Sequence, residues 1–166
     1  MKRLHIIFFA LVFFVVSAIS SAYAAEDMAA KLNGVLSKAA AEKFWQVTAD
    51  DVAAMIKAKK TDFLIVDVRP APDMFKAGHI PGAIHIAVQD ILKPENLKKL
   101  PKDKKIILVC VTGQTQNLPV IALKALGYNA YTMAFGMAAW DKTSLGFKKM
   151  QEALKGAETK NYPVQK

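Results

Sequence analysis

The 166-residue chain has a single cysteine, Cys110, so no internal disulfide can form. A thiol with no partner must be either buried or used. Arginine is nearly as scarce: Arg3 and Arg69 are the only two, although the formal net charge is +9. The charge is therefore lysine, scattered over helix-like segments and gathered in KKLPKDKK from Lys98 to Lys105. Nucleic-acid readers need planar guanidinium forks and interleaved stacking aromatics, and neither is present, so a nucleic-acid partner is excluded. A solvated lysine face remains, able to draw anionic substrates or an anionic membrane surface toward the molecule. There is no internal repeat and no sign of a second domain. A hydrophobic content of 53% gives one domain an ordinary core.

The first residues are of another kind. Lys2 and Arg3 precede an apolar run from Ile6 to Ile19, and the segment closes on Ala22-Tyr23-Ala24. A basic start, an apolar stretch short for a bilayer and a small-x-small ending read as a secretory signal over residues 1–24, with an uncleaved anchor as the alternative. Cleavage removes two bases and no acid, so the mature chain stays basic. The expected location is outside the cytoplasm, periplasmic where the source is a Gram-negative bacterium. The expected divisions are an N-terminal helical extension over 25–45, a main domain over 46–154 and a polar, loose tail over 155–166.

Helix and strand patterns alternate through the rest. Met28, Leu32, Val35 and Leu36 mark an amphipathic helix within Glu26 to Lys43, and FWQV reads as a short strand. Thr48 caps a helix through Lys59, with Asp51 three residues on as an acidic capping-box partner. FLIVDV is a continuous apolar strand ending near Asp67. Pro72 starts a short helix, GHIPG turns, and AIHI is a brief strand. Pro94 opens a helix, KIILVC is the next buried strand, and a helix runs from about Asn117 to Leu126, its start delayed by Pro119. NAYTM is the last strand, followed by FGMAAW and a closing helix to about Leu154. Apolar strands separated by helices predict an α/β fold with a mostly parallel sheet covered on both faces.

Sites in such sheets lie beyond the carboxyl ends of the strands, and Cys110 stands at one of them. From there to Thr115 the chain runs on into a helix, so successive backbone N–H groups can converge on the sulfur while the helix dipole favours the thiolate. Gly113 permits the curled backbone.

These residues resemble the rhodanese family of sulfurtransferases from about Val47 to Trp140. VDVR (Val66 to Arg69), GHIPGAIHI (Gly78 to Ile86), the strand ending in Cys110 and GMAAW (Gly136 to Trp140) occur in the family's order. The resemblance implies a rhodanese-like fold with Cys110 as nucleophile and sulfur carrier. It implies sulfane sulfur taken from a small sulfur-containing anion such as thiosulfate or polysulfide, held as a persulfide, and passed to cyanide or a thiol. The main-chain N–H groups of Val111, Thr112, Gly113, Gln114 and Thr115 form the anion cradle, with the hydroxyls of Thr112 and Thr115 assisting. No metal or organic cofactor is called for, and no protein partner is named by the sequence.

The departures matter as much. The family's active loop reads C-x-x-G-x-R; here it is CVTGQT, with Thr115 at the arginine's place. A hydroxyl cannot hold a sulfonate by two charge-assisted hydrogen bonds, so thiosulfate binding is weakened. Phe135 replaces a common glycine before Gly136. One extra residue lies between Arg69 and Gly78, and Met74 stands where a glutamate often precedes the aromatic, here Phe75; Asp73 is a substitute partner for Arg69. Asp67 and Arg69 are expected as a structural ion pair or hydrogen-bond post at a strand end, and His79 as a structural support. His79 and His85 stabilise a turn and a strand in preference to forming a metal site or a base with Cys110, and Phe135 and Trp140 pack. Two rival functions stand: a non-catalytic sulfur-binding or partner-docking module, and a cysteine phosphatase or arsenate reductase, which lacks its arginine clamp here.

Overall fold

The computed structural model describes residues 26–166. The expected signal segment lies outside them. The described residues fall into two units, one ending at Lys38 and the other spanning Ala39–Lys166. In the first, residues 26–36 form helix α1, and turns follow. The helix stops short of the expected Lys43: Ser37 N–H and Oγ bond back to Asn33 and Gly34 carbonyls, closing its end. Among the described residues no helix is long and apolar enough to cross a membrane.

The second unit begins before the expected residue 46, because Ala39 and Trp45 are already buried in it. Lys43–Trp45 make a tight turn in which all three residues have positive φ (54°, 53° and 55°), where a strand was expected. Left-handed backbone costs a non-glycine residue about 1–2 kcal/mol. Burial of the Trp45 indole, with Nε1 donating to Glu42 Oε2 at 2.8 Å, offsets that cost. Only Gln46–Val47 remain as strand β1.

Helix α2 (Ala49–Lys57) starts on a complete capping box: Asp51 N donates to Thr48 Oγ1 at 3.0 Å and Thr48 N to Asp51 Oδ2 at 2.9 Å. The remaining elements are β2 (Phe63–Asp67), α3 (Pro72–Ala77), β3 (Ile84–His85), α4 (Pro94–Leu97), β4 (Lys105–Val109), α5 (Val120–Ala125), β5 (Asn129–Met133), α6 (Met137–Trp140) and α7 (Leu145–Lys160). The sheet order is β1-β5-β4-β2-β3, and every pairing is parallel. On one face Ile65, Ile107, Val109 and Met133 pack with Val52 of α2, Ile80 and Met137 of α6. On the other, Val66, Ile106 and Leu108 are fully buried. Burial on both faces is what continuous apolar strands require.

Helix α7 runs to Lys160, past the expected Leu154, and absorbs half of the segment expected to be loose. Ala157, Glu158 and Lys160 are ordinary helix formers, and Asn161 ends the helix in the left-handed conformation that asparagine tolerates (φ 42°, ψ 62°).

Candidate active site

Strand β4 lies in the middle of the sheet, between β5 and β2, with Val109 in register with Asp67. Cys110 is the next residue and is 1% exposed. Its carbonyl accepts from Met137 N at 2.8 Å, and the Val111 carbonyl accepts from Ala138 N at 3.1 Å. The start of α6 therefore holds the root of the loop. Gly136 makes this possible: it sits at φ 53°, and a Cβ there would run into the Cys110 carbonyl and come within 2.9 Å of Gly113 N. Gly113, at φ 87°, is equally constrained, since a Cβ would lie 2.8 Å from the Phe135 Cα.

Past this root the backbone N–H groups of Val111, Thr112, Gly113, Gln114 and Thr115 take no acceptor among the described residues. Anion-binding concavities are built from such runs of unengaged N–H groups. Thr112 is half-buried and Thr115 exposed. The chain then makes a short 3-10 turn, Thr115–Asn117, pinned by Asn117 Nδ2 donating to the Gly113 carbonyl at 2.7 Å. Helix α5 starts only at Val120, because Pro119 lacks an N–H and takes the position before the first turn. The expected start near Asn117 is corrected accordingly. The dipole acts within the first turn of a helix, so the positive field at the loop comes from its own N–H groups and not from α5.

Gln116 is the residue that sequence reasoning missed. It is 1% exposed; its Oε1 accepts the Cys110 N–H at 2.8 Å and its Nε2 donates to the Met133 carbonyl at 2.6 Å. One carboxamide thus ties the cysteine backbone to the end of β5. The sequence signal was a glutamine beside the Cys110 loop, which by itself reads as a solvated loop residue.

Asp67 and Arg69 form a buried pair. Arg69 Nε donates to Oδ1 at 2.9 Å, Nη2 to Oδ2 at 2.5 Å and to the Gly78 carbonyl at 2.6 Å. Asp73 is not the partner: it is exposed and meets Lys76 at 3.3 Å, because Asp67 lies two residues from Arg69 on the same strand end and takes the guanidinium first. His79 is exposed, stacks on Phe75 with 3.8 Å between ring centres, and donates from Nδ1 to the Phe75 carbonyl at 2.8 Å. His85 Nε2 donates to the Arg69 carbonyl at 2.8 Å. Both imidazoles are thus committed to the turn and strand around Arg69. Among the described residues, no three His, Cys, Asp or Glu side chains are gathered to hold a metal. Trp140 packs against the core, whereas Phe135, expected to pack, is 62% exposed. The ring stays outside because the tight Phe135–Gly136 turn presses the Phe135 backbone onto Gly113.

Two clefts flank the loop. One, of about 230 Å³, is bordered by Arg69, Gly78, Val111, Met137 and Asp141. Another, of about 270 Å³, is bordered by Thr112, Gly113, Gln114, Phe135 and Met150. Asp141 is held below the usual carboxylate range by the Thr143 backbone N–H, then by its hydroxyl.

The family model for the rhodanese-like domain matches residues 48–143, more than half of the chain. The chain belongs to the rhodanese-like domain family. It is 34% identical over 79 residues to a tRNA sulfurtransferase of Desulfurococcus amylolyticus, covering 48% of this chain and 15% of that protein. It is 31% identical over 80 residues to the putative sulfurtransferase YtwF of Bacillus subtilis, covering 48% of this chain and 75% of that one. Among solved structures, a rhodanese-like domain protein from Staphylococcus aureus superposes with a TM-score of 0.52 at 30% identity, over 58% of this chain and 90% of that one. The rhodanese-like fold expected from the sequence is therefore established, and relatives at modest identity are named sulfurtransferases.

Proposed function

We propose that this rhodanese-like protein is a sulfurtransferase that carries sulfane sulfur on Cys110. The observation behind the reading is the row of five unengaged N–H groups following the chain's one cysteine at the end of the central strand. The Cys110 thiolate attacks the outer sulfur of a donor and forms a new S–S bond. The donor's S–S bond breaks, and the leaving group departs with the bonding pair as sulfite from thiosulfate, or as a shorter polysulfide. The persulfide carries its charge on the terminal sulfur, and N–H groups of Val111 to Thr115 stabilise that charge without a proton acid enough to quench it. Cyanide or a thiolate then takes the terminal sulfur, giving thiocyanate or a new persulfide, and the Cys110 thiolate returns. Arg69 supports the frame: its Nε and Nη2 donors are spent on Asp67 and Gly78.

The absence of a cation at Thr115 and the 1% exposure of Cys110 favour a second reading, a module that binds sulfur or docks a partner without turnover. Thiocyanate production from cyanide separates the two. The transferase reading expects turnover in wild type and none in Cys110→Ser; activity retained in that variant refutes the assigned nucleophile. Export belongs to the same proposal, on the strength of Lys2, Arg3, the Ile6 to Ile19 run and Ala22-Tyr23-Ala24. Mass mapping of the cell-produced protein is expected to find Ala25 at its N-terminus, and an intact Met1 in the cell envelope would favour the anchor.

A further inference from the structure

Phe135 combines three features. It sits in the left-handed region at φ 61°, the residue is 62% exposed, and its Cα forms the floor against which Gly113 of the loop rests. A non-glycine residue in this conformation is strained, and a glycine would take it without cost. An aromatic ring normally offsets such strain by burial, and here the ring stays in water.

The surroundings indicate what the ring meets. With Thr112, Gly113, Gln114 and Met150 it borders the cleft of about 270 Å³ beside the loop, and no charged side chain lines that cleft. Thr115 supplies no cation, and Arg69 is turned to Asp67 and Gly78. A small doubly charged anion therefore meets N–H groups and no counter-charge. A molecule with one sulfur terminus and an apolar body gains both the N–H groups and the ring.

We infer that Phe135 is a specificity-determining residue that selects sulfur compounds with an apolar organic body, thiols as acceptors and organic persulfides as donors, over small inorganic anions. This rests on the reading of Cys110 as the sulfur carrier. The favoured step balances without an added oxidant: an organic thiolate attacks the terminal sulfur of the Cys110 persulfide, a new S–S bond forms, and the old one breaks to return the thiolate.

The test does not depend on turnover. Alkylation of Cys110 is followed by intact mass with iodoacetamide and with N-phenyl-iodoacetamide, each rate divided by that of free glutathione. Aromatic pairing corresponds to a preference for the phenyl reagent of roughly three- to tenfold in wild type. Phe135→Gly is expected to abolish the preference while raising the urea midpoint, since it relieves the backbone. Phe135→Asn, which tolerates left-handed φ, is expected to abolish it as well, and Phe135→Leu to keep part of it. An unchanged ratio in Phe135→Gly or Phe135→Asn overturns the inference. So does the lack of any phenyl preference in wild type, or failure of both reagents to reach Cys110. A preference that Phe135 controls in a protein that forms no persulfide supports the recognition and overturns the transfer reading.

Discussion

Replacing Gln116 by methionine would remove one side chain's two hydrogen bonds while nearly preserving its volume. The carboxamide is 1% exposed and serves two buried backbone groups, the Cys110 N–H at 2.8 Å and the Met133 carbonyl at 2.6 Å. Methionine can replace neither bond, and water has little access. Each orphaned group costs about 1–3 kcal/mol, so the loss of stability is expected to be about 2–5 kcal/mol, a large part of the total for a domain of this size. Little of it comes from a cavity, because the swap conserves shape. Urea unfolding followed by the fluorescence of Trp45 and Trp140 measures the change, and the slope with denaturant is expected to stay constant. A loss below about 0.5 kcal/mol would refute the claim that this glutamine ties the Cys110 backbone to β5.

Other perturbations bear on separate parts of the account. Thr115→Arg returns a guanidinium to the loop mouth, and the apparent KM for thiosulfate is expected to fall roughly tenfold, the yield of a charge-assisted hydrogen bond at a partly solvated site; an unchanged KM would place the limit in loop geometry. Gly136→Ala drives a methyl group into the Cys110 carbonyl at φ 53°, and strain plus overlap is expected to cost about 2–5 kcal/mol, read by the same urea assay. Asp51 is held below its usual pKa of 3.8, first by the Thr48 backbone N–H and then by its hydroxyl. A depressed carboxylate stabilises the fold above that value and ceases to do so as pH falls through its folded pKa. The gap in stability between wild type and Asp51→Asn is therefore expected to be fullest at neutral pH and to close in acid; a gap that widens on acidification would contradict the sign.

What the sequence disclosed, and what it hid, follows from the range of each interaction. FLIVDV and KIILVC carry their burial on both faces in their composition, so the parallel sheet was legible, as was the Thr48 and Asp51 cap, whose partners are three residues apart. The position of Cys110 at a strand end followed from the same run. The left-handed turn at Lys43–Trp45 was not legible, because FWQV has strand composition and the decisive bond joins Trp45 to Glu42 outside it. Gln116 was hidden for a stronger reason: its second partner, Met133, lies 17 residues away at the end of β5, and nothing local separates a buried carboxamide from a solvated one. The Asp67–Arg69 pair was legible too, since its members stand two residues apart at one strand end, whereas Asp73, the motif's other candidate for Arg69, is exposed and meets Lys76. Residue type alone points Phe135 to the core, and backbone contact with Gly113 keeps its ring out.

The most direct test of the central claim is intact-mass spectrometry of the protein and of Cys110→Ser after exposure to thiosulfate and, separately, to polysulfide, each followed by cyanide. The account expects one added sulfur atom on wild type alone, formed more readily from polysulfide than from thiosulfate because Thr115 offers no guanidinium, and removed by cyanide. No adduct from either donor, on a protein whose Cys110 is shown by alkylation to be accessible, would contradict the carrier mechanism and leave the non-catalytic binding module as the better reading.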